Sequence, residues 1–126
     1  MDYQRTHILI VEDSEDERDM FAHHLSLMGY RVSKAADGKE GLEKAFALHP
    51  NLILMDLWLP TIGGWEATRR LKLDERTKDC PVVVITGNVR VQPSTLSCDG
   101  WLTKPCPLDL LDAEIARVLQ SRDKPN

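Results

Sequence analysis

Cysteine is scarce and badly spaced for stapling. Cys80, Cys98 and Cys106 are an odd number with no CxxC pair among them. That argues against a zinc site or a disulfide framework and for small residues in a reducing compartment. Cys106 stands near the candidate site described below, so thiol regulation is the alternative for that residue. Positive charge is in the minority, with 16 lysines and arginines against 20 acids and a net charge of −4. The electrostatic case for binding DNA or RNA is therefore missing. No apolar run approaches a membrane span, and Met1–Thr6 holds no signal-peptide apolar region. No membrane association and a cytoplasmic location are expected. No glycine-rich phosphate loop follows the first apolar run, which disfavours nucleotide binding. Internal repeats and low-complexity stretches are absent.

What the 126 residues do contain is short apolar runs alternating with helical patterns. His7 to Val11 is the first run. It ends in Glu12-Asp13, and Ser14 to Glu17 has the form of a capping box, with Ser14 as N-cap and Glu17 three residues on. Phe21, Leu25 and Met28 then fall on one helical face, and Gly29 is placed to stop the helix. Arg31 to Ala35 is a less apolar strand, expected near an edge. Asp37 caps a second helix with Leu42, Ala45 and Phe46 facing inward, closed by Pro50. Leu52 to Met55 runs apolar straight into Asp56, the pattern of a strand buried on both faces. A third helix is expected from about Trp65 to Leu73, and Asp74 to Cys80 is loop-like. Pro81 to Ile85 is a fourth strand ending at Thr86. Trp101 to Thr103 is a fifth, leading to Lys104. Pro107 suits the first turn of a final helix, with Leu108, Leu111, Ile115, Val118 and Leu119 inward. One domain over 1–126 is expected, with its core over about 6–121 and a frayed tail over 122–126. The final helix is the last element expected in the chain, and no output module is expected after it within these residues.

Alternating strands and helices imply a parallel sheet covered on both faces. Ligands then bind beyond the carboxyl ends of the strands. Those ends carry Glu12 and Asp13, then Asp56, then Thr86, then Lys104. Three carboxylates brought together raise one another's pKa, and a hard cation with all-oxygen ligands, Mg2+ or Mn2+, relieves the repulsion. Asp56 reads either as a metal ligand or turn-former, or as a nucleophile that forms an acyl phosphate. The second reading needs a cation for the phosphoryl charge, and Lys104 is the candidate, with Thr86 as a hydroxyl partner. Alone, each of these residues has an ordinary surface or structural reading. Their order at successive strand ends is the signal.

Val11-Glu12-Asp13-Ser14, Met55-Asp56 with Pro60 and Gly64 after it, Thr86-Gly87 and Leu102-Thr103-Lys104-Pro105 together resemble the receiver domain of two-component response regulators. The resemblance covers nearly the whole chain. It implies a flavodoxin-like, doubly wound α/β fold with five parallel strands in the order 2-1-3-4-5; a chemotaxis receiver is a stock example of that class. It also implies Asp56 as the phosphoacceptor, and Mg2+ held by Glu12, Asp13, Asp56 and the backbone carbonyl of Trp58. Thr86 and Lys104 would contact the phosphoryl group, with a cis Lys104-Pro105 peptide. The donor would be a sensor histidine kinase or a histidine phosphotransfer protein. The chemistry would be confined to self-catalysed phosphotransfer and autodephosphorylation, so the chain would signal rather than turn over a substrate.

Leu59 stands where the family more often has methionine. Trp58 is bulky for the mouth of the site, and Trp101 replaces a smaller aromatic. With Asn88 these tryptophans are the candidate tuning positions. Thr86 and Lys104 are 18 residues apart, about one helical turn less than the family pattern. With Pro93 in between, a short or irregular fourth helix is expected, and with it a reorganised partner face and a monomer or weak dimer. The rival within the fold is a binding module that works without phosphorylation. The rival outside it is a Mg2+-dependent phosphohydrolase of the haloacid dehalogenase type, which needs a second aspartate where this chain has Trp58.

Overall fold

The computed structural model describes residues 6–87 and 98–123. Five parallel strands, β1 (His7–Val11), β2 (Arg31–Ala35), β3 (Leu52–Asp56), β4 (Val82–Thr86) and β5 (Gly100–Thr103), form one sheet in the order β2-β1-β3-β4-β5. This is the expected topology, with the less apolar β2 at an edge. The helices are α1 (Glu15–Leu27), α2 (Gly38–Leu48), α3 (Gly64–Leu73) and α4 (Leu108–Asp123). The irregular helix expected between Gly87 and Cys98 falls on 88–97, outside the described residues, and so does Asn88.

Alternation along each strand divides the core in two. Ile8, Ile10, Leu52, Leu54, Val83 and Ile85 pack on one face against Phe21, Ala22 and Leu25 of α1 and Leu111, Ile115 and Val118 of α4. Leu9, Val11, Ile53, Met55, Val82 and Val84 pack on the other against Leu42 and Ala45 of α2 and Ala67 and Leu71 of α3. Because both faces are covered, the strands read as unbroken apolar runs rather than alternating ones. The register pairs Val11 with Met55, Asp56 with Ile85 and Thr86 with Thr103. The carboxyl ends of the strands therefore lie at one level.

Local signals set most of the boundaries. The Ser14 hydroxyl accepts from the Glu17 amide at 3.3 Å and the Asp37 carboxylate from the Glu40 amide at 2.8 Å, which starts α1 and α2. Gly29 turns the chain out of α1 at φ 102°. The helix stops at Leu27, so Met28 leaves the expected apolar face, is 43% exposed, and Ala22 takes the inward place. Phe46 is half-buried, with the Arg76 guanidinium 3.9 Å from its ring centroid. At the far end α4 runs to Asp123, past the expected start of the tail. Ser121-Arg122-Asp123 holds no breaker, and the first proline after it is Pro125.

The β5 edge is covered by α4. The Trp101 amide donates to Glu114 Oε2 at 3.0 Å, and Arg117 donates to the Asp99 carbonyl at 3.1 Å. A side chain at Gly100 would meet the same Glu114 oxygen at 2.9 Å.

Candidate functional site

Three apolar rows on the α1–α4 side of the sheet each end in a charge. Ile8 and Ile10 lead to Glu12, Leu52 and Leu54 to Asp56, and Leu102 to Lys104. The period of two that buries the rows also turns these three side chains to one place. The Lys104 ammonium lies 2.6 Å from Glu12 Oε1, 3.0 Å from Glu17 Oε2 and 3.2 Å from Asp56 Oδ2. Glu12 and Asp56 are almost wholly buried, at 1% and 4% exposure. Charges so placed require partners. Glu12 Oε2 accepts from the Ser14 amide at 3.1 Å and Asp56 Oδ1 from the Trp58 amide at 3.2 Å.

Asp13 is exposed, and it completes a cluster in which carboxylate oxygens of Glu12, Asp13 and Asp56 lie within 4.8 Å of one another. The donors are all oxygen and one side is open to solvent. That combination suits a hard, partly hydrated cation such as Mg2+.

Burial pushes the Glu12 carboxyl up to about 7, and the neighbouring Asp56 adds to the rise, against the pull of Lys104 and the Ser14 amide. Burial works against the Lys104 ammonium too, but its hydrogen bonds to Glu12 and Glu17 outweigh it and raise its pKa. The sign for stability follows from Glu12. Its folded pKa lies above the ordinary 4.5, so the folded chain binds the proton more tightly than the unfolded one. The stability this contributes is complete below about 4.5 and is lost as pH rises through about 7. In metal-free buffer Glu12→Gln is therefore expected to raise the unfolding midpoint at pH 8 and to change it little at pH 5. Equal midpoint shifts at the two pH values in thermal melts would contradict this.

A family model described as the response regulator receiver domain matches residues 8–116. The chain belongs to the response regulator receiver family. Relatives of this receiver domain include the transcriptional regulator RpaA of Synechocystis sp., 36% identical over 93% of this chain and 50% of RpaA. The polar-differentiation response regulator DivK of Brucella ovis is 34% identical over 78% of this chain and 83% of its own. The receiver thus spans half the length of RpaA and most of DivK. Among solved structures, chemotaxis response regulator CheY4 of Vibrio cholerae superposes with a TM-score of 0.83 at 30% identity, covering 90% of this chain and 98% of CheY4. The match makes this a signalling domain of the two-component type.

The remaining expected residues of the receiver site take varied places. Thr86 is fully buried at the end of β4, and its carbonyl accepts from the Lys104 amide at 2.9 Å. The Lys104-Pro105 peptide is cis. Trp58 is 58% exposed beside Asp56. Trp101 is half-buried against the α2–α3 core. Cys106 is half-buried on the other side, and burial, with Asp109, pushes its thiol up and away from the reactive form.

Glu17 is the residue that the sequence pattern misplaced. A capping-box glutamate normally reaches back to the N-cap amide. Here Glu12 takes the Ser14 amide, and the Glu17 carboxylate turns to Lys104 instead. Nothing at the strand ends signals this, because Glu17 sits on a helix and has a sufficient local explanation.

Proposed function

We propose that this receiver takes a phosphoryl group on Asp56 from the phosphohistidine of a sensor histidine kinase or histidine phosphotransfer protein, and that the phosphorylated form presents a binding surface to a protein partner. The observation that carries the reading is the Lys104 ammonium 3.2 Å from Asp56 Oδ2, beside the three-carboxylate cluster. A nucleophile and the fixed cation that would meet its incoming phosphoryl oxygens stand together, already oriented. Glu12, Asp13, Asp56 and the Trp58 carbonyl would hold Mg2+ or Mn2+, which when bound neutralises phosphoryl charge. Thr86 would supply a hydroxyl to the phosphoryl group, and Lys104 its ammonium.

In this reading residues 1–126 act as one receiver unit, as a monomer or weak dimer, in the cytoplasm and without direct contact to nucleic acid. Asn88 and Trp101 tune the switch. Trp58 stands at the mouth and slows the attack of water on the acyl phosphate, so Trp58→Asn shortens the phosphate's lifetime. An unchanged dephosphorylation rate would remove that role.

The test is incubation with acetyl phosphate and Mg2+ followed by intact-mass analysis. One acid-labile phosphate is expected, and none when EDTA replaces Mg2+. A chain that stays unmodified with donor and metal in excess would defeat the proposal and favour the phosphorylation-independent binding module. Continuous release of phosphate over many turnovers would favour the phosphohydrolase.

A further inference from the structure

The Lys104 ammonium has three N–H donors and three carboxylate acceptors: Glu12 at 2.6 Å, Glu17 at 3.0 Å and Asp56 at 3.2 Å. It is saturated before any phosphoryl oxygen arrives. The three acceptors are not equivalent. Glu12 is buried and has its second oxygen fixed by the Ser14 amide. Asp56 is the atom source of the chemistry. Glu17 lies outside the carboxylate cluster, on the first turn of α1, with its side chain 41% exposed. Released from Lys104, the Glu17 carboxylate is solvated at once, whereas Glu12 released from Lys104 would be left buried without its cation.

We propose that Glu17 is a positioning residue for Lys104 that restrains phosphoryl uptake: it occupies and partly neutralises the ammonium that the incoming phosphoryl group needs. The inference rests on the phosphoacceptor reading above and deepens it. In the step concerned, an Asp56 carboxylate oxygen attacks the phosphorus of an acyl phosphate. An O–P bond forms, the P–O bond to the donor's carboxylate breaks, and that carboxylate leaves with the electron pair. No proton is consumed, and charge is conserved between the dianionic donor and the dianionic acyl phosphate. Glu17 touches none of the reacting atoms. It acts by leaving Lys104 short of a free donor and by lowering the positive potential that draws the anionic donor in.

The experiment compares wild type with Glu17→Gln and Glu17→Asp, using acetyl phosphate and Mg2+ at low ionic strength. Gln keeps the size and the hydrogen-bond acceptor and loses only the charge. Glu17→Gln is expected to accept phosphate roughly threefold to tenfold faster, with the advantage shrinking as salt is raised. Glu17→Asp, which keeps the charge, stays near the wild-type rate. In a Lys104→Met background Glu17→Gln gives no acceleration, because the effect runs through Lys104. A second readout needs neither metal nor donor: the nitrogen NMR signal of the Lys104 ammonium shifts in Glu17→Gln and its protons exchange faster with water. Glu17→Gln no faster than wild type, an equal acceleration without Lys104, or an unmoved ammonium signal each overturns the inference. Wild type that takes up no phosphate defeats the phosphoacceptor reading and this inference together. Wild type that takes it up while Glu17→Gln matches its rate defeats this inference alone.

Discussion

Asp56→Ala is expected to take up no phosphate from acetyl phosphate and Mg2+, a loss of at least about a thousandfold, as removal of a nucleophile demands. Two other carboxylates lie within 4.8 Å, so the reason that neither substitutes has to be found in their surroundings. Glu12 has one oxygen on Lys104 and the other on the Ser14 amide. Its 2.6 Å contact with the ammonium is tighter than the 3.2 Å contact of Asp56, so its oxygens are the less available for attack. Asp13 is exposed, and the ammonium's hydrogen bonds go to Glu12, Glu17 and Asp56. A phosphoryl group on Asp13 would develop its charge without that cation. Asp56 has both an oxygen on Lys104 and a second fixed by the Trp58 amide. Lys104 keeps Glu12 and Glu17 in the variant, so the fold persists, and an unchanged circular dichroism spectrum beside an unmodified mass is the outcome to look for. Phosphate uptake by Asp56→Ala at the wild-type rate would place the acceptor elsewhere.

Gly64→Ala is expected to cost about 3 kcal/mol of stability, the upper part of the range for overpacking. A Cβ there would sit 2.1 Å from the Asp56 carbonyl oxygen and 2.6 Å from Leu57 Cα. Both are backbone, so no rotamer relieves the contact. The Gly64 amide also donates to the Leu57 carbonyl at 2.9 Å, which ties the start of α3 to the chain just past β3. Movement at one end therefore drags the other, and the carboxylate at the end of β3 moves with it. Gly63→Ala is the matched control. Its Cβ meets nothing nearer than the Leu57 carbonyl oxygen at 3.9 Å, and its φ of −64° suits any residue. That variant should stay within about 1 kcal/mol of wild type. Urea unfolding of the pair measures the difference, and equal midpoints would show that α3 shifts freely away from β3.

The period of two in the strands explains how much of the site is legible in the sequence. Once Ile8-Ile10, Leu52-Leu54 and Leu102 are assigned to one buried face, Glu12, Asp56 and Lys104 must follow onto that face. The convergence of the site is thus written in the spacing. Gly64 was readable as part of a family pattern, while its reason, the 2.1 Å approach to the Asp56 carbonyl, is tertiary. Helix ends were less legible. Met28 obeys the helical spacing but lies one residue past the end of α1, because Gly29 turns the chain just after it. Glu17 was misread for a deeper reason. A local motif accounted for it completely, and only the long-range competition of Glu12 for the Ser14 amide frees its carboxylate. Local rules rank partners within one turn of helix and have no means of weighing an ammonium 87 residues away.

The clasp of α4 over β5 has a consequence for life in a crowded cell. The border strand of an open sheet offers its backbone to any extended stranger, and proteins that leave it bare risk templated stacking into fibres. Here the Trp101 amide and the Asp99 carbonyl are already engaged by Glu114 and Arg117. The same two side chains hold each other at 2.7 Å. An invading strand would have to break a charged pair as well as two hydrogen bonds before gaining its first rung. The salt bridge that looks like surface decoration on the last helix is thus also a guard against aggregation.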